Sequence, residues 1–136
     1  MRKFIILLTV IVILISSFSA CNKANDTTMI KTVKIKKLID NKSQGWIWKE
    51  KEITKPSDVE KVLSKLKSFK YKDIEQEQVY GFDLIIEYSD DKDYTYVFSG
   101  GRVNINGKYY GISAQDNEKM NMMYDSLDYM ENPSKP

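Results

Sequence analysis

Hydrophobic and polar positions along this chain change period several times, and each change marks an element. In "MIKTVKIKKLI", Val33 and Ile35 alternate with Lys34 and Lys36, the period of a half-buried strand. "DNKSQG" follows as a turn cluster. "WIWKEKEI" alternates again, with Trp46 and Trp48 on one face and Ile47, Lys49 and Lys51 on the other. The period then becomes helical. Val59, Val62, Leu63, Leu66 and Phe69 form one stripe, and Lys61 and Lys65 share the opposite side. Ser57 with Glu60 three residues on predicts a capping box at the start of that helix.

The densest alternation lies further along. Tyr80, Phe82, Leu84, Ile86 and Tyr88 share one strand face, and "SDDKD" turns the chain back. Tyr94, Tyr96 and Phe98 line the next strand. Gly100-Gly101 and Asn106-Gly107 then read as two tight hairpin turns, because these residues tolerate positive φ. If both turns are two-residue loops, Phe98 falls opposite Val103, Tyr96 opposite Ile105, and Val103 opposite Tyr110. A single register therefore gives three strands one apolar face. Ser113 and Asp116 mark the start of a last helix whose stripe is Met120, Met123, Tyr124, Leu127 and Met130. The order β-β-α-β-β-β-β-α predicts an α+β fold: two N-terminal strands plus a four-stranded antiparallel meander, with two helices on one face.

The chain begins differently. Arg2 and Lys3 precede a run from Phe4 to Ile15 that is apolar except for Thr9, and small polar residues then lead to Ala20 and Cys21. Charged, apolar and small-residue zones in that order describe a signal peptide, and the apolar run is short of the roughly 20 residues of a permanent span. A retained membrane anchor is the alternative. The two cations hold the start on the cytoplasmic side, so the following chain is exported. Cys21 is the only cysteine. Phe18-Ser19-Ala20-Cys21 resembles the lipobox of bacterial lipoproteins, with Phe18 where Leu is usual. That resemblance implies a diacylglyceryl group on the Cys21 thiol, cleavage just before it, and attachment to the extracytoplasmic face of the cell membrane. Two or more acyl chains anchor stably, whereas one is marginal. The expected organisation is residues 1–20 signal peptide, 21–29 lipidated tether, 30–130 one α+β domain and 131–136 a polar tail.

Removing residues 1–20 takes away two cations and no acid, so the formal charge falls from +2 to zero. Residues 22–72 carry 14 Lys and 6 acids, whereas residues 73–136 carry 5 cations and 13 acids. Either the two halves pair across one fold, or the basic half faces the anionic membrane surface. With a single Arg in its mature part, an exported neutral chain does not fit a nucleic-acid partner.

With no His in the sequence, imidazole catalysis and His-containing zinc or haem sites are excluded. Ser64 and Lys67 match S-x-x-K without the other motifs of penicillin-recognising enzymes, and read as helix surface. Asp83 and Glu87 on one strand would stand roughly 13 Å apart, beyond the roughly 5 to 9.5 Å of glycosidase pairs. Asp90, Asp91 and Asp93 lack the Gly and Glu that an EF-hand loop requires at its sixth and twelfth positions. Met120, Met122 and Met123 are soft ligands in type, but the first and last belong to the core stripe. No cofactor or metal is expected. Trp46 and Trp48, roughly 7 Å apart on one strand face, are the candidate binding surface. Exposed, they would stack on sugars or peptide; buried, they are core.

"FSGGRVNINGKYYGI" and the acidic-start helix after it resemble small domains of unknown function in Gram-positive lipoproteins, over roughly residues 30–130. That resemblance carries no activity. The expectation is a non-enzymatic binding or accessory module, held to the membrane by the lipid on Cys21, whose ligand is a protein, peptide or wall component. The alternatives are a hydrolase working on cell-wall material through carboxylates without His, and a structural subunit of a membrane complex.

Overall fold

The computed structural model describes residues 30–75 and 81–136. The segments expected as signal peptide and lipidated tether, with Cys21, and Tyr80 lie outside the described residues. The strands are β1 (Val33–Asn41), β2 (Gly45–Ile53), β3 (Lys72–Asp73), β4 (Leu84–Ser89), β5 (Asp93–Ser99), β6 (Arg102–Ile105), β7 (Lys108–Gly111) and β8 (Asn132–Ser134). The helices are α1 (Pro56–Ser68), between β2 and β3, and α2 (Ala114–Ser126), between β7 and β8. All eight strands form one sheet, in the order β3-β7-β6-β5-β4-β1-β2-β8, and every neighbouring pair is antiparallel. The fold is α+β, as the periodicity predicts, with two short edge strands added.

The meander register is the one that the turn residues dictate. Phe98 pairs with Val103, Tyr96 with Ile105, and Val103 with Tyr110. Asn106 (φ 50) and Gly107 (φ 91) close the β6–β7 turn in the left-handed region, which matches the strand twist. β4 and β1 are interior strands, β4 between β5 and β1, and β1 between β4 and β2. Val33 and Ile35 thus meet Ile53 on one side and Ile86 and Tyr88 on the other.

Both helices cover one face. Val59, Val62 and Leu66 of α1, with Phe69 just after it, share a core with Met120, Met123 and Tyr124 of α2. Beneath them lie Val33, Ile35, Ile53, Leu84, Ile86, Phe98 and Val103. Burying this many apolar side chains, at about 1.5–3 kcal/mol each, is the main force holding the helices to the sheet.

The structure corrects four details. Pro56 takes the first helical position of α1, where its missing N–H costs nothing, so Ser57 lies inside the helix and makes no cap. Lys55 occupies the cap position, and its N–H donates to the Tyr129 hydroxyl at 3.1 Å. The α2 stripe ends at Leu127 because the helix ends there, which leaves Met130 80% exposed. Residues 131–136, expected as a polar tail, contribute β8, which pairs with Trp48–Glu50 of β2. Phe82 precedes β4 and is exposed. Ser113 does cap α2, accepting from the Asp116 N–H at 3.0 Å.

Candidate binding surface

Alternation along β2 sends its residues to opposite faces, and pairing with β1 decides which face is which. Lys51 pairs with Ile35 and Ile53 with Val33, both core residues, so Ile47, Lys49, Lys51 and Ile53 point under the helices. Trp46 and Trp48 therefore point to the face with no helix among the described residues. The lysine-bearing side of β2 is the inner one and the tryptophan side the outer one.

A lysine on the inner face needs compensation for lost hydration. Lys51 is 6% exposed, and its Nζ donates to the carbonyls of Tyr124 and Leu127, both at 2.8 Å. Its ammonium also lies 4.5 Å from the Tyr124 ring centroid. Lys37, also on this face, pairs with Asp125 at 2.7 Å. On the outer face Lys36 pairs with Glu87 at 3.1 Å. These ion pairs join the basic and acidic halves across the fold.

On the outer face Trp48 stands opposite Leu38 and is half-buried, whereas Trp46, opposite the exposed Asp40, is 69% exposed. Neither ring is core, and the two stand side by side on one strand face. Leu38, Ile85 and Val97 extend the apolar strip inward across β1, β4 and β5, with Ile85 buried among its neighbours. Beside Trp46 a groove of about 370 Å³ runs between the start of β2 and the end of β8, walled by Gln44, Ile47, Lys49, Ser134 and Lys135 as well as the two tryptophans. The wall from β8 has no alternating signal in the sequence, and Pro133 argues against a strand except at an edge, which is where it sits.

No protein-family model, curated protein or solved structure matches this chain. Its chemistry is therefore read from its own residues.

A second cavity of about 640 Å³ lies at the opposite end of the sheet, lined by Lys31, Lys34, Glu87, Tyr88, Asp93 and Tyr94 among others. It brings two carboxylates together, but both are engaged: Glu87 with Lys36, and Asp93 as acceptor from the Ser89 hydroxyl at 2.6 Å. Burial, then the hydrogen bond with Tyr96, pushes the Tyr88 phenol well above its ordinary value, so it stays protonated. The neighbouring β4–β5 turn carries Asp90 and Asp91, and among the described residues no group of three or more Asp, Glu, His or Cys is arranged to hold a metal. Asp83 lies just before β4, and its Oδ2 accepts from the Gly100 N–H at 3.3 Å. Ser64 and Lys67 are exposed on α1. Met120 and Met123 are core, and Met122 is exposed. No helix of the described residues is long and apolar enough to cross a membrane.

Proposed function

We propose that this chain is a lipid-anchored extracytoplasmic lipoprotein whose domain is a non-enzymatic binding module, with Trp46 and Trp48 at its binding surface. The observation that carries the reading is the placement of Trp46. A large aromatic ring left mostly in water on a helix-free face, beside a second ring and a groove, is the chemistry of a recognition surface. Position along β1 supports it. Val33 and Asn41 bound a strand of nine residues, about 26 Å long, with the residue-30 end leading back to Cys21 and the other end joined to Trp46 through the β1–β2 turn. On this reading the tryptophans lie at the opposite end of β1 from the residue that leads back to Cys21, open to wall components or soluble proteins.

Two substitutions test the two halves of this reading. Cys21→Ser should abolish lipid labelling and release the protein from the membrane fraction; unchanged labelling would refute the anchor. Trp46→Ala should preserve membrane attachment and remove the partners that cross-link to the wild-type protein in its native membrane. An unchanged cross-linking pattern would remove Trp46 from the binding surface.

A further inference from the structure

The edge of β2 is longer than the strand that covers it. Leu38 donates its N–H to Asp83 at 3.0 Å on the β4 side. Peptide groups alternate in direction along an antiparallel strand, so Leu38 and the other even-numbered residues of β1 bond β4, and the odd-numbered ones bond β2. Across the β1–β2 pair, the odd residues of β2 are then committed to β1, and Trp46, Trp48, Glu50 and Glu52 turn their peptide groups to the outer edge. β8 meets Trp48 and Glu50, and puts Pro133, which has no N–H, opposite Lys49, where no bond is due. Its pairing stops at Ser134. Continued by two residues, it would place Pro136 opposite Trp46, with no N–H to offer the Trp46 carbonyl. The N–H and C=O of Trp46 are left facing the groove.

That groove straddles the sheet edge. Its walls include Trp46 and Trp48 from the outer face and Ile47 and Lys49 from the inner one. A sugar chain stacked on the rings would use one face only. An extended peptide laid along the edge beyond β8 would use both, its side chains falling alternately on the Trp46 side and on the Ile47 side, with Trp48 and Lys49 in the groove wall next to it. The groove walls carry two cations, Lys49 and Lys135, and no carboxylate side chain, and neither ammonium has an ion-pair or hydrogen-bond partner among the described residues.

We propose that the free edge of β2 at Trp46 binds an extended acidic peptide, which continues the sheet where β8 leaves off. This rests on the reading of the Trp46 surface as the binding site, and adds the class of ligand and the way it is held. The Trp46 N–H donates to a peptide carbonyl and the Trp46 carbonyl accepts a peptide N–H. The tryptophan rings cover one side of the peptide, and Lys49 and Lys135 meet its carboxylates.

The test is selection of random twelve-residue peptides displayed on phage against the full chain held in detergent, with the Trp46→Ala chain as control. Enrichment of acidic sequences is expected. A synthetic peptide of the enriched sequence should bind about tenfold more weakly to Trp46→Ala and to Lys135→Glu, and should slow hydrogen exchange at the Trp46 amide. Lys135→Glu alters an exposed residue outside any element, so its fold is kept. Enrichment of basic peptides, no enrichment over the control, or binding that leaves the Trp46 amide exchanging freely would overturn the proposal. Trp46-dependent binding of a tetramer of N-acetylglucosamine in place of any peptide would overturn it too, while leaving the Trp46 surface as the binding site.

Discussion

The ammonium of Lys51 lies 4.5 Å from the ring centroid of Tyr124 and 2.8 Å from its carbonyl oxygen. α2 has no basic residue in its last turn, so its C-terminal carbonyls and the negative end of its dipole lack a local cation. Lys51, reaching up from the middle of β2, supplies one and hydrogen-bonds Leu127 as well. Sheet and helix are thereby fixed in one relative position by a charge that is itself buried.

Lys51→Met keeps the aliphatic stem and removes only the ammonium, leaving two buried carbonyls without their charged donor. Loss of about 2–4 kcal/mol is expected in urea unfolding, the range for breaking charge-assisted hydrogen bonds and exposing a desolvation cost. A change below about 0.5 kcal/mol would show that water or a backbone shift takes over the cap.

The two helix starts give opposite expectations for residues of the same type. Ser113→Ala should cost about 1 kcal/mol, since its hydroxyl accepts the Asp116 N–H. Ser57→Ala should fall within about 0.5 kcal/mol of wild type, because Pro56 displaces it from the cap. Tyr129→Phe should instead weaken α1, by about 1–2 kcal/mol, since the Tyr129 hydroxyl accepts from Lys55 N–H and donates to Asp58 at 2.9 Å. Equal effects of the two serine substitutions on equilibrium unfolding would contradict this assignment.

These cases separate what was legible from what was not. The meander, its register and the Ser113 cap were readable because neighbouring residues specify them: Asn106-Gly107 fixes a turn, and a turn fixes a register. The cap at α1 depends on Tyr129, 74 residues away, which no local pattern announces. The facing of β2 failed to declare itself for a similar reason. The alternation separates the two tryptophans from Lys49 and Lys51 without deciding which face is inner, and only the arrival of the α2 C-terminus makes a lysine acceptable inside. Met130 fits a helical stripe in sequence but follows the end of the helix in space.

Alkaline pH should unfold the protein through its buried phenols. Burial is the largest cause raising Tyr71, Tyr88 and Tyr124, with Tyr96 nearby adding to the first two and Glu131 to the third. A group raised in the folded state stabilises fully below its unfolded pKa, here about 10, and loses that contribution as pH climbs towards the folded value. Stability should be flat with respect to these groups up to about pH 9 and fall above about pH 10. Tyr124, which is fully buried, contributes up to about 1.4 kcal/mol per pH unit to that slope. Tyr124→Phe should flatten it. An unchanged slope in urea midpoints between pH 9.5 and 11 would mean that the phenol ionises without unfolding.

Trp46 and Trp48 are the only tryptophans, so fluorescence reports each ring once the other is removed. Trp46→Ala takes away a ring already largely in water, and stability should change by no more than about 0.5 kcal/mol. The Trp48 emission that remains should be blue-shifted and shielded from acrylamide by Leu38 and the β8 strand across from it. Trp48→Ala removes half-buried apolar area between β1 and β8 and should cost about 1–2 kcal/mol. The Trp46 left behind should then emit at long wavelength and quench freely. Such a pair of spectra would show that the outermost ring carries almost none of the fold's stability. The same quenching measurement tests the proposed binding surface directly. Any ligand of the surface should protect Trp46 from acrylamide while leaving Trp48 nearly unchanged; protection of Trp48 alone would move the site away from the sheet edge.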